Sequence, residues 1–112
     1  MESGPQWVRA AGVAELDDDD VIEVLAGGET IALYRSGGQY FATDGICSHE
    51  HALLADGYLD GTIIECPKHQ GRFDIRTGAP KGAPACVPIR TYQVRVDGDD
   101  LCVDLGGVGL GR

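Results

Sequence analysis

Apolar and polar residues alternate with a period of two over short stretches, and turn residues separate those stretches. Tyr92, Val94 and Val96 alternate with Thr91, Gln93 and Arg95. After a turn at Asp97-Gly98, Leu101, Val103 and Leu105 keep the same period, as half-buried strands do. Residues 34–41 read as a hairpin, because Gly37-Gly38 supplies the positive φ angles that a two-residue turn requires. Residues 58–64 read as a second hairpin, turning at Asp60-Gly61. Helical periodicity is poor: the stretch 13–26, free of Gly and Pro, is split by four consecutive aspartates, Asp17, Asp18, Asp19 and Asp20. The pattern predicts an all-β fold, a small antiparallel β-sandwich or partly open barrel.

Two segments, 44–57 and 66–82, resist assignment as strands. Both are rich in Gly, Pro and polar residues, and all three histidines of the chain lie in them. Loops carried on a rigid scaffold are where chemistry concentrates.

The chain has 112 residues, the size of one domain. Nine Lys+Arg against 18 Asp+Glu give a formal charge of −9, which excludes the basic footprint of a nucleic-acid binder. The imbalance is local. Residues 1–56 hold 11 acids and 2 bases, whereas 57–112 hold 7 of each. The dense run formed by Glu15 and Asp17–20 reads as a solvated loop, with a patch for a basic partner as the alternative. No basic start followed by an apolar run marks a signal peptide, and no run approaches the roughly 18 apolar residues of a membrane helix. The cytoplasm is the expected location. In a reducing compartment the four cysteines read as ligands or small buried side chains rather than disulfides.

The first loop contains Cys47-Ser48-His49 and the second Cys66-Pro67-Lys68-His69, with 16 residues between His49 and Cys66. That interval has room for a hairpin that brings the loops together, so two thiols and two imidazoles converge on one metal site. Zinc accepts such a set tetrahedrally. Zinc fingers, however, keep their cysteines in one turn and their histidines in another, while here each loop gives one of each. This division suits a [2Fe–2S] cluster in which one iron takes both sulfurs and the other both imidazoles.

At these residues the chain resembles the Rieske iron–sulfur family. The run Cys66-Pro67-Lys68-His69-Gln70-Gly71-Arg72-Phe73-Asp74, followed by Thr77-Gly78, extends the resemblance beyond the ligands. It implies a Rieske-like antiparallel β-sandwich over residues 1–105, with a small cluster-binding subdomain of two loops at about 44–82. A Gly-rich tail, 106–112, would add no packed structure. The motif selects His49 over His51, so the implied ligands of one [2Fe–2S] cluster are Cys47, His49, Cys66 and His69. Cys86 and Cys102 have no matching histidine and read as packed side chains. Lys68, Arg72, His51 and Glu50 flank the ligands as candidate docking contacts, and Pro67 and Gly71 as residues that shape the second loop.

Two neutral imidazoles in place of two thiolates raise a cluster's potential, roughly to between −150 and +300 mV against about −400 mV for plant-type ferredoxins. High-potential Rieske proteins also have two cysteines bracing the loops, and a Ser and a Tyr donating to cluster sulfurs. Ala52, Lys68, Gly71 and Phe73 stand at those four positions here. Two missing donors lower the potential by on the order of 100 mV. The resemblance is closest to the ferredoxin components of bacterial aromatic-ring-hydroxylating dioxygenase systems. It therefore implies a monomeric, low-potential one-electron carrier and not an enzyme. Its implied partners are an NAD(P)H-dependent flavin reductase and a terminal Rieske oxygenase. The small subunit of an assimilatory nitrite reductase and a zinc-stabilised, non-redox binding module are the alternatives.

Overall fold

The computed structural model describes residues 4–47, 52–68, 71–81 and 87–106. The described residues form ten strands: β1 (Trp7–Gly12), β2 (Asp20–Ala26), β3 (Glu29–Ser36), β4 (Gln39–Asp44), β5 (Tyr58–Asp60), β6 (Ile63–Glu65), β7 (Arg72–Asp74), β8 (Thr91–Tyr92), β9 (Val94–Asp97) and β10 (Asp100–Asp104). They form three antiparallel sheets in the orders β1-β10-β9, β2-β3-β4-β8 and β5-β6-β7. Helical structure among the described residues is confined to two 3-10 turns, Val13–Glu15 and Leu54–Asp56.

The expected all-β antiparallel fold is what forms, and its hairpins lie where the glycines are. Gly37 and Gly38, at φ +60° and +78°, make the two-residue turn between β3 and β4, with Ser36 opposite Gln39. In the hairpins β5–β6 and β9–β10 the turn starts one residue later than read, at Gly61 and Gly98. The preceding aspartates close the ladders, Asp60 against Ile63 and Asp97 against Asp100. A positive φ is needed at the first turn residue, so glycine takes that place and aspartate the last strand position.

Three strands went unread in the sequence. β1 has only weak alternation. β2 begins within the aspartate run, and its inward residues Ile22 and Val24 pack on the β3 side chains Ile31 and Leu33. β7 lies inside the segment 66–82, where three residues suffice because β6 pairs with them. The alternation 91–96 is also divided: Thr91 and Tyr92 pair with β4, whereas residues from Val94 on pair with β10. Asp17, Asp18 and Asp19 are exposed, as read. Asp18 accepts from the Gly38 N–H (3.1 Å), and Asp19 holds φ +59°, a conformation that aspartate tolerates better than most residues.

The four-residue run Ile31-Ala32-Leu33-Tyr34 sets the architecture. All four are fully buried, which alternation in a strand permits only when both of its faces are covered. Ile31 and Leu33 pack with Ala11, Leu16, Ala42, Tyr92, Leu101 and Val103. Ala32 and Tyr34 pack on the opposite side with Leu54, Ile64, Phe73 and Ile75. The sheet containing β3 is thus the middle of three layers, and the small β5-β6-β7 sheet lies against its second face.

Candidate metal centre

The first ligand loop leaves the end of β4. Gly45 N–H donates to Thr30 O and Leu54 N–H to Gly45 O, both at 2.9 Å. Inside that neck Ile46 bridges Leu53, and Cys47 N–H donates to Ala52 O at 2.9 Å. The second loop joins β6 to β7, where Glu65 pairs with Arg72 and Cys66 N–H donates to Gly71 O at 2.7 Å. Each cysteine therefore closes its own loop through its backbone.

Both thiols are buried, Cys47 at 4% exposure and Cys66 at 0%. They belong to one packed group with Tyr34, Ala52, Leu54, Ile64, Phe73 and Ile89. Two soft donors buried within one apolar group suit the role of thiolate ligands. The donor chemistry fits a [2Fe–2S] cluster. His49, His51 and His69 lie outside the described residues, as do Glu50 and Cys86. Cys102 is far from this group in sequence and sheet: it sits in β10 opposite Arg9 and Arg95. Lys68, Pro67 and Arg72 are exposed, while Gly71 is buried.

The four positions that separate this chain from the high-potential pattern are all described. Ala52 is buried and accepts the Cys47 N–H. Lys68 points its charge to solvent. Gly71 offers only its backbone, and the Phe73 ring, fully buried, has no hydroxyl to donate.

A second set of residues, which the sequence did not disclose, surrounds the foot of the first loop. The Asp44 carboxylate accepts from Tyr92 OH at 2.7 Å, from Arg90 N–H at 3.0 Å and from Arg90 Nε at 3.1 Å. Hydrogen bonding to Asp44 raises the Arg90 pKa further above its ordinary value. Burial, with the Asp44 bond added, raises that of the Tyr92 phenol. On the other side, Tyr34 OH meets Thr43 Oγ1 at 2.8 Å, and Thr43 Oγ1 donates to Asp44 O at 2.8 Å. At the far end of β7, Arg76 forms a fork on Asp74, Nε to Oδ1 at 3.1 Å and Nη2 to Oδ2 at 2.9 Å. That pairing holds the Asp74 carboxyl below the usual carboxylate range against the cost of burial.

Two buried loop cysteines on antiparallel sheets are what an iron–sulfur protein of the Rieske class requires of its cysteine ligands. The Rieske [2Fe-2S] domain profile matches residues 6–93, and the chain belongs to that family. It is 42% identical over 100 residues to the ferredoxin component of the naphthalene 1,2-dioxygenase system of Pseudomonas aeruginosa, covering 89% of this chain and 96% of that one. Among solved structures, a ferredoxin of Sphingomonas yanoikuyae B1 superposes with a TM-score of 0.84 at 43% identity, over 88% of this chain and 98% of its own. The complex of reduced oxygenase and oxidised ferredoxin in carbazole 1,9a-dioxygenase matches with a TM-score of 0.81 at 34% identity, over 88% of this chain and 92% of the matched chain. Likeness to a putative nitrite reductase small subunit, at 19% identity, is one of fold alone. The protein is thus a Rieske ferredoxin, an electron-transfer component with one Rieske-type [2Fe–2S] cluster. No helix among the described residues is long and apolar enough to cross a membrane.

Proposed function

We propose that this protein is a low-potential Rieske ferredoxin that passes single electrons from an NAD(P)H-dependent flavin reductase to a terminal ring-hydroxylating oxygenase. Cys47, His49, Cys66 and His69 hold the cluster within a subdomain spanning about 44–82. The observation that carries the reading is the pair of buried loop cysteines, Cys47 and Cys66, in a chain matching nearly the whole length of a dioxygenase-system ferredoxin. When bound, the cluster supplies one-electron chemistry in the Rieske potential range. The chain's own residues enclose the cysteine side in apolar packing, through Leu54, Ile64, Phe73 and Ile75, and exclude water from it. The absence of hydroxyl donors at Gly71 and Phe73 supports the low potential. Lys68, exposed beside the second ligand pair, offers charge to a partner, with Arg72 also exposed and partly balanced by Glu65 at 3.7 Å, so the complexes weaken with salt.

Visible absorption and EPR of the purified protein, before and after dithionite, test the centre. Stopped-flow mixing with the reductase and oxygenase components of an aromatic dioxygenase system tests the role. The expected result is a brown protein that reductase and NAD(P)H bleach and oxidised oxygenase recolours. A colourless protein with stoichiometric zinc, or one that exchanges no electrons with the oxygenase, would overturn the reading.

A further inference from the structure

Ile89 and Arg90 are consecutive residues, and each is bonded to the support of a different ligand loop. Ile89 N–H donates to Gly78 O at 3.0 Å. Gly78 closes the turn after β7 by donating its own N–H to Asp74 O at 2.7 Å, and β7 pairs with the strand that delivers Cys66. Gly78 has φ +80°, and a Cβ built there would overlap the Ile89 carbonyl oxygen, so this contact tolerates no side chain. One residue on, the strap is gripped from the other loop. Arg90 O accepts the Asp44 N–H at 2.9 Å, and Arg90 N–H and Nε donate to the Asp44 carboxylate at 3.0 and 3.1 Å. Tyr92 OH adds a third donor at 2.7 Å. Asp44 stands three residues before Cys47.

We propose that the Ile89–Arg90 strap, gripped by Asp44 at one end and by Gly78 at the other, sets the separation of the two ligand loops, with Asp44 as the positioning residue of the metal centre. The proposal rests on Cys47 and Cys66 being ligands. A site drawing donors from both loops requires their spacing to be held within about 0.5 Å, and groups outside the ligand shell orient the ligands inside it. The bonds to Asp44 are charge-assisted and partly shielded from water, so they are stiffer than neutral ones. An amide is a poorer partner than the carboxylate: it carries no charge, and in either orientation its NH2 meets the Arg90 Nε–H, donor against donor. Arg90→Lys keeps the backbone bonds to Asp44 and removes only the Nε bond to its carboxylate, since lysine has a methylene where the Nε of arginine stands.

The test uses holoprotein carrying Asp44→Asn, Arg90→Lys or Gly78→Ala, with Arg9→Ala as a control for a surface ion pair on a different sheet. Far-UV circular dichroism reports the sheets. Visible circular dichroism, reduced-state EPR and the rate of iron release to a chelator below the melting temperature report the centre. In the loop variants the sheets are expected to persist, iron release to accelerate on the order of tenfold, and EPR and visible dichroism to change. Gly78→Ala should produce the same spectral change as Asp44→Asn, although the two positions support opposite loops. Should Asp44→Asn fail to fold, Tyr92→Phe, which removes only the 2.7 Å bond, decides by the same readouts. Variants with lowered melting temperature but wild-type EPR, dichroism and release rate would overturn the strap alone. A wild-type protein without an iron–sulfur spectrum would overturn the ligand assignment and the strap with it.

Discussion

The α-carbon of Gly57 lies directly against the carbonyl group of Glu65, so close that a Cβ on Gly57 would overlap the oxygen. Gly57 ends the 3-10 turn that leaves the first loop, and Glu65 is the residue before Cys66. The exit of one ligand loop is thus pressed onto the entrance of the other. Gly57→Ala has to part them, and the expected cost is that of overpacking a tight interior, about 1–3 kcal/mol. The midpoint of urea unfolding measures it; an unchanged midpoint would show that the contact yields freely.

Cys47→Ala, Cys66→Ala, His49→Ala and His69→Ala are each expected to abolish the visible absorption of the cluster, with iron content falling to background. His51→Ala and Cys102→Ala are expected to leave both intact. Loss of the chromophore in His51→Ala would move the ligand role from His49 to His51.

Restoring donors should raise the potential. Phe73→Tyr combined with Gly71→Ser is expected to shift the midpoint upward by on the order of 100 mV, read by spectroelectrochemical titration. Phe73 is fully buried, so a hydroxyl placed there must find an acceptor or destabilise the fold. A destabilised double variant with an unmoved potential would show that these positions do not set it.

Asp74 gives the fold an acid-sensitive component. Its carboxyl is held below its ordinary range, chiefly by the hydrogen bonds from Arg76. The stabilisation is therefore complete above the unfolded value near about 4 and is lost as pH falls through the lower folded value. Urea midpoints at pH 7 and pH 3 are expected to differ more in the wild type than in Arg76→Gln. Equal differences would mean that the pair contributes nothing.

Local chemistry was legible in the sequence wherever one residue type had one use. Gly37-Gly38 announced its hairpin because few residues other than glycine accept positive φ twice in succession. The cysteines of the two loops could be singled out as candidate ligands through their spacing to histidine. What escaped was set by distant partners. Nothing local distinguishes Asp44 from the other aspartates, because its partners Arg90 and Tyr92 lie 46 and 48 residues away. β2 was obscured by the aspartate run at its start: Asp17, Asp18 and Asp19 belong to the segment preceding it, and Asp20 is its first residue. β7 is only three residues long, too short for a periodic signal, and exists because β6 supplies its ladder. The run 91–96 looked like one strand because alternation reports which side faces inward and not which sheet is joined.

From Ile31 to Tyr34, β3 has no solvent-facing side. The strand that completes the sandwich also floors the loops, since Ala32 and Tyr34 pack in the same group as Cys47 and Cys66. The loop region is therefore not a detachable module: excised alone, residues 44–82 would lose their floor and expose the apolar side of Leu54, Ile64 and Phe73. A redox centre of this kind is transplanted into another protein only together with β3, and the host must already provide a second layer for the far face of that strand.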